Sequence, residues 1–259
     1  MPSFSFIIPV KPGGFVAAIE SLRRIADPAS QFEVLIAEGC SPSRQRNSAV
    51  DEARGEIIYF LDDDSQVSPD CLTLCAEIME DPTVAVAGGP SLTPSGDSLL
   101  QQLIGCALAS LLGAGAVRNR YRASGVTRST TDKELILCNL AIRRNVFIET
   151  SGFDDRLYPN EENELLDRII SRGMKLVHAP GMAVQRSQRR TLRLFIRQMF
   201  AYGRPLSLEE MTARIEAIRV EDVRRVGATM LGSAPTVAAI GRVGKVIGAD
   251  RVARRLSRA

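Results

Sequence analysis

The chain has no tryptophan and one histidine, His178, and aromatic residues make up only 5% of its 259 residues. Stacking platforms for single-stranded nucleic acid are built from aromatics, so no nucleic-acid partner is expected. The five cysteines, Cys40, Cys71, Cys75, Cys106 and Cys138, form no Cys-x-x-Cys pair. With a single histidine beside them, that spacing argues against a zinc site and for reduced thiols in a cytoplasmic setting. The N-terminus lacks a basic region, a long apolar segment and a cleavage site, which predicts no signal peptide.

What is present fits a globular protein. Hydrophobic residues make up 45%, and the length suits one large α/β domain with an appendage, or two small domains. Charge is uneven. Residues 182–259 carry 16 Lys and Arg against 6 Asp and Glu, although the whole chain is only +3. A basic tail of this kind meets a polyanion, and the scarcity of aromatics favours an anionic membrane surface, contacted peripherally.

Short apolar runs alternate with helical patterns. Strands are expected at Ser3 to Val10, Phe32 to Ala37, Glu56 to Leu61, Thr83 to Ala87, Glu134 to Ile142 and Lys175 to His178. Helices are expected from Gly13-Gly14 to Ile25, over Arg44 to Ala53, Pro69 to Glu80 and Asn160 to Arg172. This alternation predicts an α/β fold, a mostly parallel sheet with helices on both faces. Tyr121 to Lys133 has no periodicity and reads as a mobile loop. Further helices are expected in the basic tail, one from Ser207 with Glu210 completing a capping box, and one over Val237 to Arg255.

The strand beginning at Glu56 ends in three carboxylates, Asp62, Asp63 and Asp64. The carboxyl edge of an open α/β sheet is where ligands bind, and three adjacent anions invite a divalent cation. Taken alone, the same residues also read as an acidic turn capping the next helix.

Ser98 to Val117 is twenty residues without a formal charge, the nominal length of a membrane span. Its Leu and Ile residues fall on one stripe, with Gln101, Gln102, Gly105, Cys106 and Ser110 opposite. A one-sided helix lies on a core or at a bilayer interface rather than crossing it.

Four separated pieces carry a resemblance. They are the first strand with Pro9; the loop Glu38 to Ser41; Arg46-Asn47 followed by Ala53-Arg54-Gly55-Glu56 and Leu61-Asp62-Asp63-Asp64; and Gly152-Phe153-Asp154 with Glu161-Glu162-Asn163-Glu164-Leu165. Together, over residues 3 to about 204, they resemble the family 2 glycosyltransferases, inverting enzymes of the GT-A fold. The resemblance implies a catalytic domain at residues 1–204 with a basic helical extension at 205–259. It implies Mg²⁺ or Mn²⁺ held by Asp62 and Asp64 against the diphosphate of a nucleotide sugar, with Asp63 toward the ribose or sugar. Glu38 stands where the family offers an Asp to the base, and Arg46, Asn47 and Arg44 stand near base and phosphates. The general base falls on Glu162, with Glu161 in reserve, where the family has a Glu-Asp pair.

The chain departs from the family in three places. Glu38 and Glu162 each replace an Asp, and Val184-Gln185-Arg186 replaces a Val-x-His pattern. Arg186 cannot ligate a metal but can pair with phosphate. Gln198 with Tyr202-Gly203-Arg204 matches a Gln-x-x-x-Tyr-Gly-Arg pattern that follows the family's core. The expected function is transfer of a sugar, UDP-linked, to a hydroxyl acceptor such as a lipid-linked glycan at the inner face of the cell membrane. Two alternatives stand beside it, a catalytically silent membrane-associated binding subunit and a nucleotidyltransferase. The latter's Gly-rich phosphate loop is not seen at Val10 to Phe15.

Overall fold

The computed structural model describes residues 2–25, 32–202 and 219–221. The chain divides into two units, Met1–Pro205 and Leu206–Ala259. The elements below belong to the first, and the helices expected after Ser207 lie outside the described residues.

The first half of the unit holds β1 (Phe4–Val10), α1 (Ala18–Leu22), β2 (Phe32–Glu38), α2 (Pro42–Glu52), β3 (Ile57–Leu61), β4 (Gln66–Val67), α3 (Cys71–Ile78), β5 (Val84–Gly88) and β6 (Ser91–Leu92). The second half holds α4 (Leu99–Ala109), α5 (Leu111–Ala114), β7 (Arg128–Thr130), β8 (Asn139–Arg143), α6 (Arg144–Glu149), α7 (Glu161–Ser171), β9 (Lys175–His178), β10 (Val184–Gln185) and α8 (Leu192–Tyr202).

Seven strands form one sheet in the order β2-β1-β3-β8-β5-β9-β7, and β4-β10-β6 form a second, small sheet. β2, β1, β3, β5 and β9 run the same way, while β8 and β7 run against them. Five carboxyl ends therefore share one edge. The strand expected from Glu134 begins only at Asn139, with Glu134 itself closing a 3₁₀ turn over Asp132–Glu134. The stretch expected as a mobile loop, Tyr121 to Lys133, contributes β7, and a 3₁₀ helix at Gly115–Tyr121 leads into it. The first helix is also shorter than its pattern, starting only at Ala18.

Alternation along the strands builds two cores. Phe4, Phe6 and Ile8 of β1 with Ile57, Tyr59 and Leu61 of β3 pack against Leu22, Leu72 and Cys75. Ile7, Ile58 and Phe60 face the other way, against Val50, Phe147, Leu165 and Ile169. Helices thus cover both faces, and all five residues of β3 are buried. A core side chain of that size contributes roughly 1.5–3 kcal/mol on burial. Gly55 lets β3 start close to β1, since a Cβ there would stand 2.5 Å from the backbone of Phe4 and Ser5.

Candidate active site

The shared edge collects the residues singled out in the sequence. β3 runs directly into Asp62-Asp63-Asp64, and the triplet's own backbone is tied down. The carbonyl of Asp63 accepts from the amide of Ala18 at 3.0 Å, and that of Asp62 accepts from Ser65 at 3.1 Å. At the end of β2, Glu38 Oε1 accepts from the amide of Gly13 at 2.8 Å, which joins the loops after β1 and β2. Gln45 of α2 reinforces that junction by donating to the carbonyls of Val10 and Ala37. Pro9 lies within β1 opposite Ala37.

Arg46 is the centre of the arrangement. It projects from α2 with its side chain only 5% exposed, and donates to Asp62 Oδ1 at 2.9 Å. On its other side it meets Glu161 Oε1 at 3.4 Å, an atom that also accepts from Ser43 Oγ at 2.9 Å. The end of β3 and the start of α7 are therefore parts of one site, although about a hundred residues separate them. Arg46 was expected beside base and phosphates. Here it is spent on two carboxylates, because a buried guanidinium requires partners.

Asn47 was expected to face the nucleotide. Its amide instead donates to the carbonyl of Phe153 at 2.8 Å and accepts from its N–H at 3.0 Å. It fixes the Gly152-Phe153-Asp154 turn, where Gly152 adopts φ +63° and a Cβ would stand 2.8 Å from Asn47 Oδ1. Arg44 is exposed and paired with Asp155. Arg44 and Glu38 both line an open groove of about 650 Å³ between β2 and α2.

The Glu161-Glu162 pair is not a solvated helix start, since both residues are buried. The two are not equivalent. Glu161 is engaged by Ser43 and Arg46 through one oxygen, and its Oε2 is buried without a hydrogen-bond partner. Burial pushes the Glu162 carboxyl up to about 7, against the pull of Arg120, whose Nη1 lies 3.7 Å from Oε1. The charge of Glu161 adds to the upward shift. Glu162 is thereby able to exchange a proton near neutral pH.

Arg186 was expected to meet phosphate. It sits instead between the aspartates, with Nε 2.6 Å from Asp64 Oδ1 and Nη2 2.9 Å from Asp62 Oδ2. Burial would raise the Asp62 carboxyl, but Arg186 and Arg46 overcome it and hold it below the usual range. Asp63 shifts the other way, raised by burial and by its two neighbours. Among the described residues, no group of three or more His, Cys, Asp or Glu side chains could hold a metal ion. His178 is buried on β9, with Nε2 3.2 Å from the carbonyl of Asn119, so it is a core residue.

Arg120 and Ser43 carry no local sequence signal. Arg120 lies in the 3₁₀ helix just before the stretch read as a loop, and it braces α7 by donating to Asn163 Oδ1 at 2.6 Å and to the carbonyl of Asp132 at 2.7 Å. Only a contact map would have revealed it.

The mixed sheet, its helical layers and the acidic carboxyl edge define the GT-A fold of nucleotide-sugar transferases. Residues 57–232 match the sequence model of glycosyl transferase family group 2, and the chain belongs to that family. No curated protein matches the chain. Among solved structures, it is similar to Staphylococcus aureus TarS 1–349 in complex with UDP, at 14% identity and a TM-score of 0.52. That match covers 71% of this chain and 60% of the other. It is also similar to the mannosyltransferase PcManGT from Pyrobaculum calidifontis in complex with GDP-Man and Mn²⁺. There the identity is 13% and the TM-score 0.54, over 99% of this chain and 80% of the other. At these identities the likeness shows the fold. The chain spans about three fifths of the TarS 1–349 chain.

Proposed function

We propose that residues 1–204 form an inverting glycosyltransferase that moves a sugar from a nucleoside diphosphate donor, UDP-linked, to a hydroxyl acceptor. The observation that carries this reading is the Arg46 bridge. It sets the acidic end of β3, read here as the donor side, beside the start of α7, read here as the acceptor side. TarS complexes with UDP and UDP-GlcNAc, and the GDP-Man complex of PcManGT, support a nucleoside diphosphate sugar as donor class.

In this reading Glu162 takes the proton of the acceptor hydroxyl as its oxygen attacks the anomeric carbon. The bond from that carbon to the diphosphate oxygen breaks on the opposite face, and the leaving diphosphate carries the electron pair. Arg120 steadies the ionised Glu162, while Glu161, Ser43 and Arg46 fix the helix start that presents it. A base titrating near 7 suits a reaction run near neutrality. The resemblance places Mg²⁺ or Mn²⁺ on Asp62 and Asp64. Both carboxylates are engaged by one guanidinium and Arg46 takes the other oxygen of Asp62, so this donor set as it stands does not fit the ion. No step here passes through it.

The test is turnover of UDP- and GDP-sugars by the full chain. Glu162→Gln should lower the rate about 10²–10⁴-fold, the usual contribution of a positioned base. Turnover unaffected by that change would remove Glu162 from its role. No turnover of any donor by wild type would favour the silent-subunit alternative.

The acceptor is proposed to be presented at the inner face of the cell membrane, as a lipid-linked glycan. The expectation that the stripe on α4 packs inward holds for Ile104 and Leu108, but Leu99, Leu103, Leu111 and Leu112 are exposed. Gln101, expected on the outer face, is buried, because it closes the capping box with Ser98 and donates to the carbonyl of Gln188. α8 adds exposed Leu192, Leu194, Ile196 and Phe200 among Arg193 and Arg197. No single described helix is long and apolar enough to cross a membrane, though the bent pair Leu99–Ala109 and Leu111–Tyr121 passes by length and composition. An apolar face edged by arginines suits an anionic interface. Wild type should sediment with anionic liposomes at low salt, and a Leu103→Asp, Leu112→Asp, Phe200→Asp variant should not. Wild type remaining in the supernatant would end this part of the reading.

A further inference from the structure

Arg186 is built into its place rather than resting on the surface. It follows β10, which pairs antiparallel with β4 in the register Gln185 to Gln66 and Val184 to Val67. β4 begins two residues after Asp64, so this ladder brings Arg186 back to the aspartates. The Arg186 amide donates to the carbonyl of Leu92 at 2.9 Å, which fixes the same point from the β6 side. Its side chain is 22% exposed, between carboxylates that are 23% and 46% exposed.

The contacts occupy one edge of the guanidinium. Nε donates to Asp64 and Nη2 forms an ion pair with Asp62, which leaves the outer Nη1–Nη2 edge as the pair of parallel donors that matches a phosphate. Asp62 has no oxygen left over, because Arg46 takes Oδ1 while Arg186 takes Oδ2. A divalent ion entering between Asp62 and Asp64 would have to displace one guanidinium and stand against the other. A further cation is close by, since Arg189 lines a small cavity of about 20 Å³ together with Arg186, Ser187 and Gln188.

We propose that Arg186 is the resident cation of the Asp62 and Asp64 pair, and that it holds the donor's diphosphate there in place of a divalent metal. The proposal rests on the nucleotide-sugar reading above and changes what neutralises the leaving group. The aspartates then act on Arg186, fixing its plane and keeping it charged, and the outer edge of the guanidinium meets the phosphates directly.

Two measurements on the full chain test it. The first is Mn²⁺ binding without nucleotide, followed by the free-ion electron paramagnetic resonance signal. Wild type should leave that signal intact, and Arg186→His, which removes the resident cation and adds a ligand, should reduce it. The second is calorimetric binding of UDP and GDP in EDTA and in Mn²⁺. The wild-type Kd should differ less than about threefold between the two conditions, whereas Arg186→Ala should weaken binding in EDTA about tenfold or more. Arg186→Lys keeps the charge without the fork and should fall between, with circular dichroism checking that each variant is folded. Stoichiometric Mn²⁺ uptake by wild type, or nucleotide binding that disappears in EDTA, would overturn the proposal. Exclusion of Mn²⁺ by wild type together with no UDP or GDP binding in either condition would overturn the nucleotide reading itself and, with it, the diphosphate role of Arg186.

Discussion

Two runs of adjacent acids stand at one edge of the sheet, and the protein treats them in opposite ways. Asp62 and Asp64, at the end of β3, are held by guanidinium groups, and the Asp62 carboxyl is lowered despite its burial. Glu162, at the start of α7, is buried, and burial outweighs the pull of Arg120 at 3.7 Å and of Arg46, so its carboxyl is raised to about 7. Environment rather than residue type divides the labour, leaving Asp62 fixed as an anion and Glu162 free to take up a proton. Arg46 joins the two because it reaches Asp62 on one side and Glu161 on the other.

Removing that joint should have the largest effect on stability. Arg46→Ala leaves Glu161 buried with only Ser43 as a partner and takes one of two cations from Asp62. Breaking such a buried pair costs about 3–5 kcal/mol, so thermal unfolding should shift sharply downward. An unchanged melting temperature would mean that the two acid runs are held independently.

The pH dependence of stability should separate the two runs by sign. The folded-state pKa of Glu162 is raised, so its contribution is fully present below the ordinary glutamate range and is lost as pH rises through about 7. Glu162→Gln should therefore be more stable than wild type above pH 7, by up to about 3 kcal/mol, while losing turnover. Asp62 behaves the other way. Its folded pKa is depressed, so its contribution is present above about pH 4 and is lost as pH falls below that. Denaturant titrations of both proteins from pH 3 to pH 8 would show the two limbs, and a pH-independent difference would contradict the assignment for Glu162.

The smallest of these effects should come from Asn47→Ala, which strips both hydrogen bonds from the Phe153 backbone beside α7. A loss of about 1–3 kcal/mol is expected from the unpaired amide and carbonyl. If nucleotide affinity fell while stability held, Asn47 would be acting on the donor after all.

Most of the fold was legible because its strands are short apolar runs whose alternation needs no distant information. β9 matches its sequence pattern residue for residue, and β3 ends at the aspartates, as its composition implies. The candidate site was legible as a set of residue types at certain positions, since Asp62, Asp64, Glu161 and Glu162 do gather at one edge. Their partners were not. Arg46, Asn47 and Arg186 carry the donors that suit a nucleotide, yet each is engaged by groups 16 to 122 residues away. α4 shows the same limit. Its Leu and Ile pattern is helical, but which residues face inward was decided by Gln101 reaching Gln188.

By itself, then, the sequence determined where strands and helices form and which carboxylates stand at strand and helix ends. Those outcomes follow from local periodicity and turn chemistry. Only the tertiary structure decided which carboxylate is raised, which are clamped, and that a guanidinium lies between Asp62 and Asp64. Charge, burial and pairing are set by neighbours in space, and the β4–β10 ladder that returns Arg186 to the aspartates spans more than a hundred residues of chain.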